Sequence, residues 1–283
     1  LITNKEYLKK TYANPFNWTG SKHRYLKDLF EVLPVDKGNL KVLDPFVGGG
    51  DLISKLPDTW IITASDTMSQ IVDLHNACKD KTFDTESILN EFNLRGMSKT
   101  NKDAYLKLRE EYNKNPSVEK LYLLMTNSFN NQLRFNSKGS FNMPFGKDRS
   151  SFTNNMQTKL NNYQGLLESK NIKFEVESWD SYNFSDFDLV LLDPPYSNTC
   201  ATYNESTGWS EKDDEALFSE LERSGVDYIY FNQTYSKGVS NNTLIDWLDG
   251  RDYKVLKETS TGCSYNRDNG FTQEIMAWKI SNV

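Results

Sequence analysis

The 283-residue chain is expected to form an α/β fold, a doubly wound and mainly parallel sheet interrupted by a helical insertion. Three observations predict it. Apolar strands alternate with helix-period stretches near the N-terminus, the alternation stops from about residue 79 to residue 162, and it resumes from Ile172 onwards. The chain therefore divides into residues 1–74, an insertion at 75–163, and residues 164–283. The length suits one large core, or one core carrying a smaller inserted domain.

Each element follows from its local pattern. Residues 40–47, L-K-V-L-D-P-F-V, read as a short apolar strand, which Gly48, Gly49 and Gly50 break before D-L-I-S-K-L, read as a helix. Residues 60–64, W-I-I-T-A, form a second strand that ends at Ser65 and Asp66, and M-S-Q-I-V-D-L-H-N after it has helical spacing. Two β-α steps in succession predict parallel strands. In the insertion, residues 102–114 place Tyr105, Leu108 and Tyr112 on one helical face, and residues 118–129 read as a more buried helix beyond Pro116. R-F-N-S-K-G-S-F-N-M then sets aromatic and apolar residues on both sides of N-S-K-G, the pattern of a hairpin or projecting loop. Further strands are expected at 172–176, 189–192, 228–231, 253–256 and 274–279, with helices at 213–222 and 243–248.

Composition narrows the function classes. A formal charge of -6 at pH 7 argues against a uniformly basic nucleic-acid coat while permitting a local basic face. Cys78, Cys200 and Cys263 are widely spaced, so neither a disulfide framework nor a zinc site is expected. His23 and His75 are the only histidines, which leaves little room for a His-ligated metal or a Ser/His/Asp triad. No metal is expected. L-I-T-N-K-E-Y-L-K-K lacks an apolar signal core, and nowhere do the about 20 apolar residues of a membrane span occur. A cytoplasmic protein without a membrane partner, monomeric by default, is the expectation.

Two motifs carry chemistry. V-L-L-D-P-P-Y at 190–196 is a buried run ending in a carboxylate and two prolines, which an interior strand does not tolerate. Asp193, Pro194, Pro195 and Tyr196 must therefore lie just past the strand, where open α/β sheets keep their sites. There the carboxylate and the first proline's carbonyl can accept hydrogen bonds from an exocyclic amine, and the tyrosine offers a ring for a planar base. The second motif is D-P-F-V-G-G-G at 44–50, with Asp66 at the end of the next strand, placed to take a ribose hydroxyl pair. Its spacing is not G-x-G-x-x-G, which disfavours a dinucleotide and leaves a nucleoside cofactor without a pyrophosphate.

Together these residues resemble the adenine-specific DNA methyltransferases of the Dam type, with bacterial and T-even phage members. The resemblance covers nearly the whole chain and rests on five segments in order: N-W-T-G-S-K at 17–22, D-P-F-V-G-G-G, Ser65-Asp66, N-S-F-N-N-Q-L-R-F-N-S-K-G-S-F-N-M-P-F-G at 127–146, and D-P-P-Y. It implies a Rossmann-like methyltransferase fold, S-adenosylmethionine as cofactor and double-stranded DNA as partner, in a bacterial cell or a phage-infected host. By resemblance, residues 1–74 and 164–283 form the catalytic domain and 75–163 the target-recognition insertion.

The resemblance also implies roles. Trp18 and Lys22 line the cofactor's methionine end, Phe46, Gly48, Gly49 and Gly50 its back wall, Asp66 the ribose and Trp179 the adenine ring. Asp193 faces both amine and cofactor, Pro194 and Pro195 fix the acceptors, Tyr196 holds a flipped adenine, and Tyr203 closes the pocket's edge. On the DNA side, Arg134 makes a bidentate contact to guanine and Pro144 lies against a neighbouring base edge. Phe129, Asn130, Asn131 and Gln132 approach the centre of the target, and Lys147 and Arg149 meet phosphates. The implied target is GATC. One departure is Asn17, where many bacterial members carry lysine.

Other readings stay open at this point. The same chemistry at another DNA site, or a catalytically inactive DNA-binding homologue, would keep every motif. A protein-glutamine methyltransferase resembles N-P-P-Y and a cytosine-amine methyltransferase S-P-P-Y, whereas this chain has D-P-P-Y. A nicotinamide-dependent oxidoreductase would need the phosphate-binding glycine fingerprint that is absent.

Overall fold

The structure is a computed structural model that describes residues 14–18, 20–198, 208–261 and 270–281. In chain order the strands are β1 (Lys41–Asp44), β2 (Ile61–Asp66), β3 (Asn171–Val176), β4 (Leu189–Leu192), β5 (Asp227–Ser236), β6 (Val239–Ser240), β7 (Asp252–Thr261) and β8 (Gly270–Lys279). The helices are α1 (Leu26–Val32), α2 (Ser69–Asp80), α3 (Thr85–Leu94), α4 (Lys102–Lys114), α5 (Val118–Asn127), α6 (Asn154–Glu168), α7 (Glu211–Ser224) and α8 (Asn242–Trp247).

One sheet, ordered β3-β2-β1-β4-β5-β8-β7 with β6 beside β5, forms the centre. β1 to β5 pair in parallel, while β8 runs antiparallel to both β5 and β7. This is the expected doubly wound α/β fold with an antiparallel edge, a common arrangement. β4 is L-V-L-L, each residue fully buried. It lies between β1 and β5, so both of its faces must be apolar. The order reverses between β1 and β4, where Leu43 pairs with Val190, and this switch point puts Asp44, the last residue of β1, beside Asp193, the first residue past β4.

Two apolar layers hold the sheet. One contains Val42, Ile62, Ile71 and Leu74 and continues through Tyr105, Leu121 and Phe141 of the insertion. The other packs Leu43, Val190 and Leu192 against Leu217, Phe218 and Trp247. The sequence-derived limits at 75 and 163 fall inside α2 and α6, helices that pack on each other.

Several elements differ from expectation for identifiable reasons. D-L-I-S-K-L yields only a 3-10 turn, Ile53–Lys55, because Pro57 disfavours helix at the residue before it. The helix expected to reach Phe129 ends at Asn127, and residues 129–131 form a 3-10 turn with Asn130 in the left-handed region. α3 and α6 are additions, each started by a side-chain cap, Asp84 to the Ser87 N–H and Thr153 to the Met156 N–H.

The expected hairpin is present. Phe135 and Phe141 pair antiparallel across it with their rings edge to face at 5.6 Å, and Asn136 Oδ1 accepts the Lys138 and Ser140 N–H groups in the turn. It is fastened to α4 and to the end of α5 mostly through main-chain atoms. Asn113 donates to the Phe141 carbonyl and accepts its N–H, Tyr105 donates to the Met143 carbonyl at 2.8 Å, and the Phe129 N–H reaches the Pro144 carbonyl at 2.8 Å.

Candidate active site

The carboxyl ends of β1, β2 and β4 bring three carboxyl groups to one edge. Asp193, just past β4, is partly exposed and ion-paired to Lys22, whose Nζ lies 2.7 Å from its Oδ2. The same ammonium donates to the Gly20 carbonyl at 2.7 Å, so a nearly buried lysine is held from both sides. Tyr196 donates its hydroxyl to Asp193 Oδ1 at 3.2 Å, and Lys22 Nζ lies 5.5 Å from the Tyr196 ring. Each Asp193 oxygen has a donor and keeps a second lone pair for an incoming one. Burial pushes this carboxyl above its usual range, with Lys22 and Tyr196 opposing. Pro194 is buried and Pro195 exposed.

Asp66 caps the glycine turn as well as facing the edge. Its Oδ2 accepts the Gly48 N–H at 3.1 Å and its Oδ1 the Met68 N–H at 2.9 Å. Burial raises its pKa against these backbone bonds. Asp44 is buried and takes the Phe46 N–H at 3.2 Å; burial pushes it up to about 8, and Asp193 and Asp66 add repulsion.

The glycines make room for a side chain from far along the sequence. A Cβ on Gly48 would stand 2.5 Å from Trp18 Nε1, and one on Gly49 2.7 Å from Trp18 Cβ. Trp18 is thus laid across the turn. Gly48 and Gly50 have φ of 44° and 78°, which disfavours any other residue. Behind the turn, buried His75 bridges the Gly48 carbonyl, 2.8 Å from Nε2, and the Tyr163 hydroxyl, 2.7 Å from Nδ1. A carbonyl only accepts, so Nε2 carries the proton and Tyr163 donates to Nδ1. Asn14 adds a bond to the Gly49 carbonyl at 2.6 Å.

Three half-buried rings stand at the same edge. Phe46 follows β1 and Trp179 follows β3; Trp209, which the sequence reading missed, lies between them. Trp209 meets Phe46 edge-on at 5.4 Å and Trp179 at 6.4 Å. Its only local signal was S-E-K-D, the capping box of α7 directly after it. A glycine turn, a ring of aromatic groups and three carboxyl groups suit a nucleoside that carries a cationic centre. Tyr203 lies outside the described residues.

The residues expected to face DNA form a second group. Phe129, Asn130, Pro144, Lys147 and Arg149 are exposed, and Asn131, Gln132 and Arg134 are half-buried. Arg134 is clamped across the hairpin, with Nε donating to Asn142 Oδ1 at 2.8 Å and Nη2 to the Asn142 carbonyl at 3.0 Å. Asn130 and Asn131 both have positive φ, and Asn131 donates to the Thr126 carbonyl at 2.7 Å. Asn17 donates to the Asn130 carbonyl at 2.5 Å, joining the segment over the glycine turn to this loop. Among the described residues no cluster of three His, Cys, Asp or Glu suits a metal ion, and no helix is long and apolar enough to cross a membrane.

Comparison with known proteins gives the family. The modification methylase StsI of Streptococcus sanguinis is 30% identical over 282 residues, covering 95% of this chain and 43% of that protein. The type II methyltransferase M.FokI of Planomicrobium okeanokoites is also 30% identical, with the same coverage. The DNA adenine methylase of Escherichia coli K12 is 31% identical over 194 residues, 66% of each chain. The chain thus spans 43% of the length of the first two relatives. Residues 18–261 match a single family throughout, and the chain belongs to that family, the D12 class N6 adenine-specific DNA methyltransferases.

Proposed function

We propose that this chain transfers a methyl group from S-adenosylmethionine to the exocyclic amine of an adenine flipped out of duplex DNA, within a defined sequence. The observation that carries the reading is Asp193, held by Lys22 and Tyr196 at the switch point beside Asp44, Asp66 and the glycine turn. When bound, the cofactor supplies an electrophilic methyl group on a sulfonium. Asp193 and the Pro194 carbonyl accept the amine's N–H groups, which orients its nitrogen lone pair, and Tyr196 stacks on the base. The proton that the amine loses after transfer passes to Asp193, whose proton affinity burial has raised. Asp66 takes the ribose hydroxyls, Trp18 and Lys22 flank the methionine portion, and Phe46 and Trp179 border the adenine.

Residues 75–163 serve as the target-recognition insertion in this reading. Arg134 reads a guanine in the major groove, Pro144 and the loop 129–132 lie at the centre of the site, and Lys147 and Arg149 hold phosphates. The work is done on DNA in the cytoplasm of a bacterium or phage-infected host, with a single chain as the unit. GATC is the target implied by the Dam-type resemblance. Other sites compete with it, because the relatives matched over 95% of the chain are a modification methylase and a type II methyltransferase.

The test is transfer of a labelled methyl group to a randomised duplex library, with sequencing that reports methylated adenines. Label confined to adenine in GATC supports both reaction and target; label at another motif keeps the reaction and replaces the target. No label in DNA, with cofactor binding intact, overturns the reading in favour of a binding homologue or another substrate.

A further inference from the structure

We propose that Trp209 is a wall of the cofactor's adenine pocket, and that Asp214 is the positioning residue that fixes this wall relative to the D-P-P-Y segment. The proposal rests on the reading that this sheet edge binds S-adenosylmethionine. Asp214 lies in the first turn of α7 and is fully buried, yet among the described residues no basic side chain is bonded to it. Its donors are the Ser197 hydroxyl at 2.6 Å, the Trp209 indole N–H at 2.7 Å and the Asn241 amide at 3.0 Å. Asn241 also reaches Ser197 Oγ at 3.0 Å and caps α8 by accepting the Leu244 N–H.

The three donors come from three places. Ser197 directly follows Tyr196, Trp209 precedes the α7 cap, and Asn241 starts α8. One carboxylate thus joins the end of the tetrad, an aromatic wall and the helix that backs the sheet. A buried carboxylate is costly unless hydrogen bonds satisfy it, and these three donors hold it to one geometry. The N-terminal end of α7, already closed by the Ser210–Asp213 capping box, favours negative charge there.

Trp209 has the other half of the argument on its ring. Its nitrogen is tied down and its edge rests on Phe46 and Trp179, yet it stays half-exposed at the carboxyl edge where Asp66 stands. An indole fixed in place with one part open is a stacking or edge contact for a planar base. The same carboxylate holds Ser197, so a shift of the wall moves the tetrad with it. This joint fixing is what the variants below separate from simple packing.

The experiment is calorimetric binding of S-adenosylhomocysteine without DNA, together with KM for S-adenosylmethionine, KM for DNA and kcat. Trp209→Ala is expected to weaken cofactor binding about tenfold and leave the DNA KM unchanged, whereas Trp209→Phe keeps most of the affinity. Asp214→Asn is expected to weaken cofactor binding about fivefold and to lower kcat as well, because Ser197 loses its acceptor. Asp214→Asn/Asn241→Asp returns a carboxylate to the cluster and is expected to restore both within about twofold. Binding by Trp209→Ala equal to wild type overturns the wall. Failure of the double variant to rescue a folded Asp214→Asn protein overturns the positioning role. A wild-type protein that binds no S-adenosylhomocysteine overturns the cofactor reading itself, and this inference with it.

Discussion

Asp44 illustrates how one residue at the edge of the sheet links stability to chemistry. Burial holds its carboxyl up to about 8, so it is protonated at neutral pH. A raised folded pKa gives stability that is complete below the unfolded value near 4 and is lost as pH rises towards 8. Asp44→Asn keeps the acceptor for the Phe46 N–H and removes the titration. Its stability relative to wild type is expected to grow by about 1.4 kcal/mol per pH unit between pH 5 and pH 7, as measured by urea unfolding. A constant difference over that range counts against a protonated Asp44. At Asp193 the expectation concerns turnover: Asp193→Ala abolishes methyl transfer while its melting curve stays cooperative, and wild-type turnover in that variant sinks the mechanism. Asp193 and Asp66 were legible in the sequence because each ends an apolar run. Asp214 and Trp209 were not, since their importance arises from contacts with Ser197 and Phe46 across gaps of 17 and 163 residues in numbering.

Among the elements, α6 and the hairpin govern how the insertion meets the sheet. Tyr163 of α6 donates to His75 of α2, which in turn holds the Gly48 carbonyl, so a helix at the end of the insertion supports the glycine turn. Tyr163→Phe leaves His75 Nδ1 buried without its donor and is expected to cost about 1 to 3 kcal/mol, read from denaturant unfolding. Burial also lowers His75 to about 4. Both states hold a neutral imidazole well above pH 6.5, so stability is lost only as pH falls from about 6.5 towards 4. In the hairpin, Arg134→Ala is expected to cost about 1 to 3 kcal/mol of discrimination at one guanine. Asn142→Ala, which removes the Oδ1 arm of the clamp and leaves the main-chain carbonyl on Nη2, should erode the same position less; methylation of a randomised library measures both.

The hairpin and the buried faces of α4 were readable because aromatic residues recur at strand and helix periods. α6 was hidden because Leu160, Tyr163 and Leu167 are separated by asparagine, glutamine and glycine. α3 buries little beyond Ile88, so its helical pattern is faint. The outer halves of β5, β7 and β8 also escaped notice. There the strands are polar, Lys257 to Ser260 against Phe271 to Glu274, and pairing with each other rather than apolar periodicity holds them.

For the whole molecule, shared packing sets the behaviour. The apolar layer that covers one face of the sheet continues into the insertion. Unfolding followed by tryptophan fluorescence and by far-ultraviolet dichroism is therefore expected to coincide, because the insertion shares that layer with the sheet instead of closing a core of its own. Net charge points the same way as the local chemistry. At -6 overall, the DNA affinity proposed above is expected to come from local cations and to fall with salt in proportion to their number. Lys147→Ala and Arg149→Ala are each expected to reduce the slope of log affinity against log salt by about 0.9, the release of one phosphate contact.

The way the hairpin is fastened has a bearing on descent. Asn113 and Tyr105 grip the Phe141 and Met143 main chain, which is chemically the same whatever side chains the hairpin carries. Outward residues such as Pro144 and the exposed turn around Lys138 can then change identity without loosening the attachment. A chain built on this scaffold can change the outward face of the hairpin one substitution at a time and stay folded at each step.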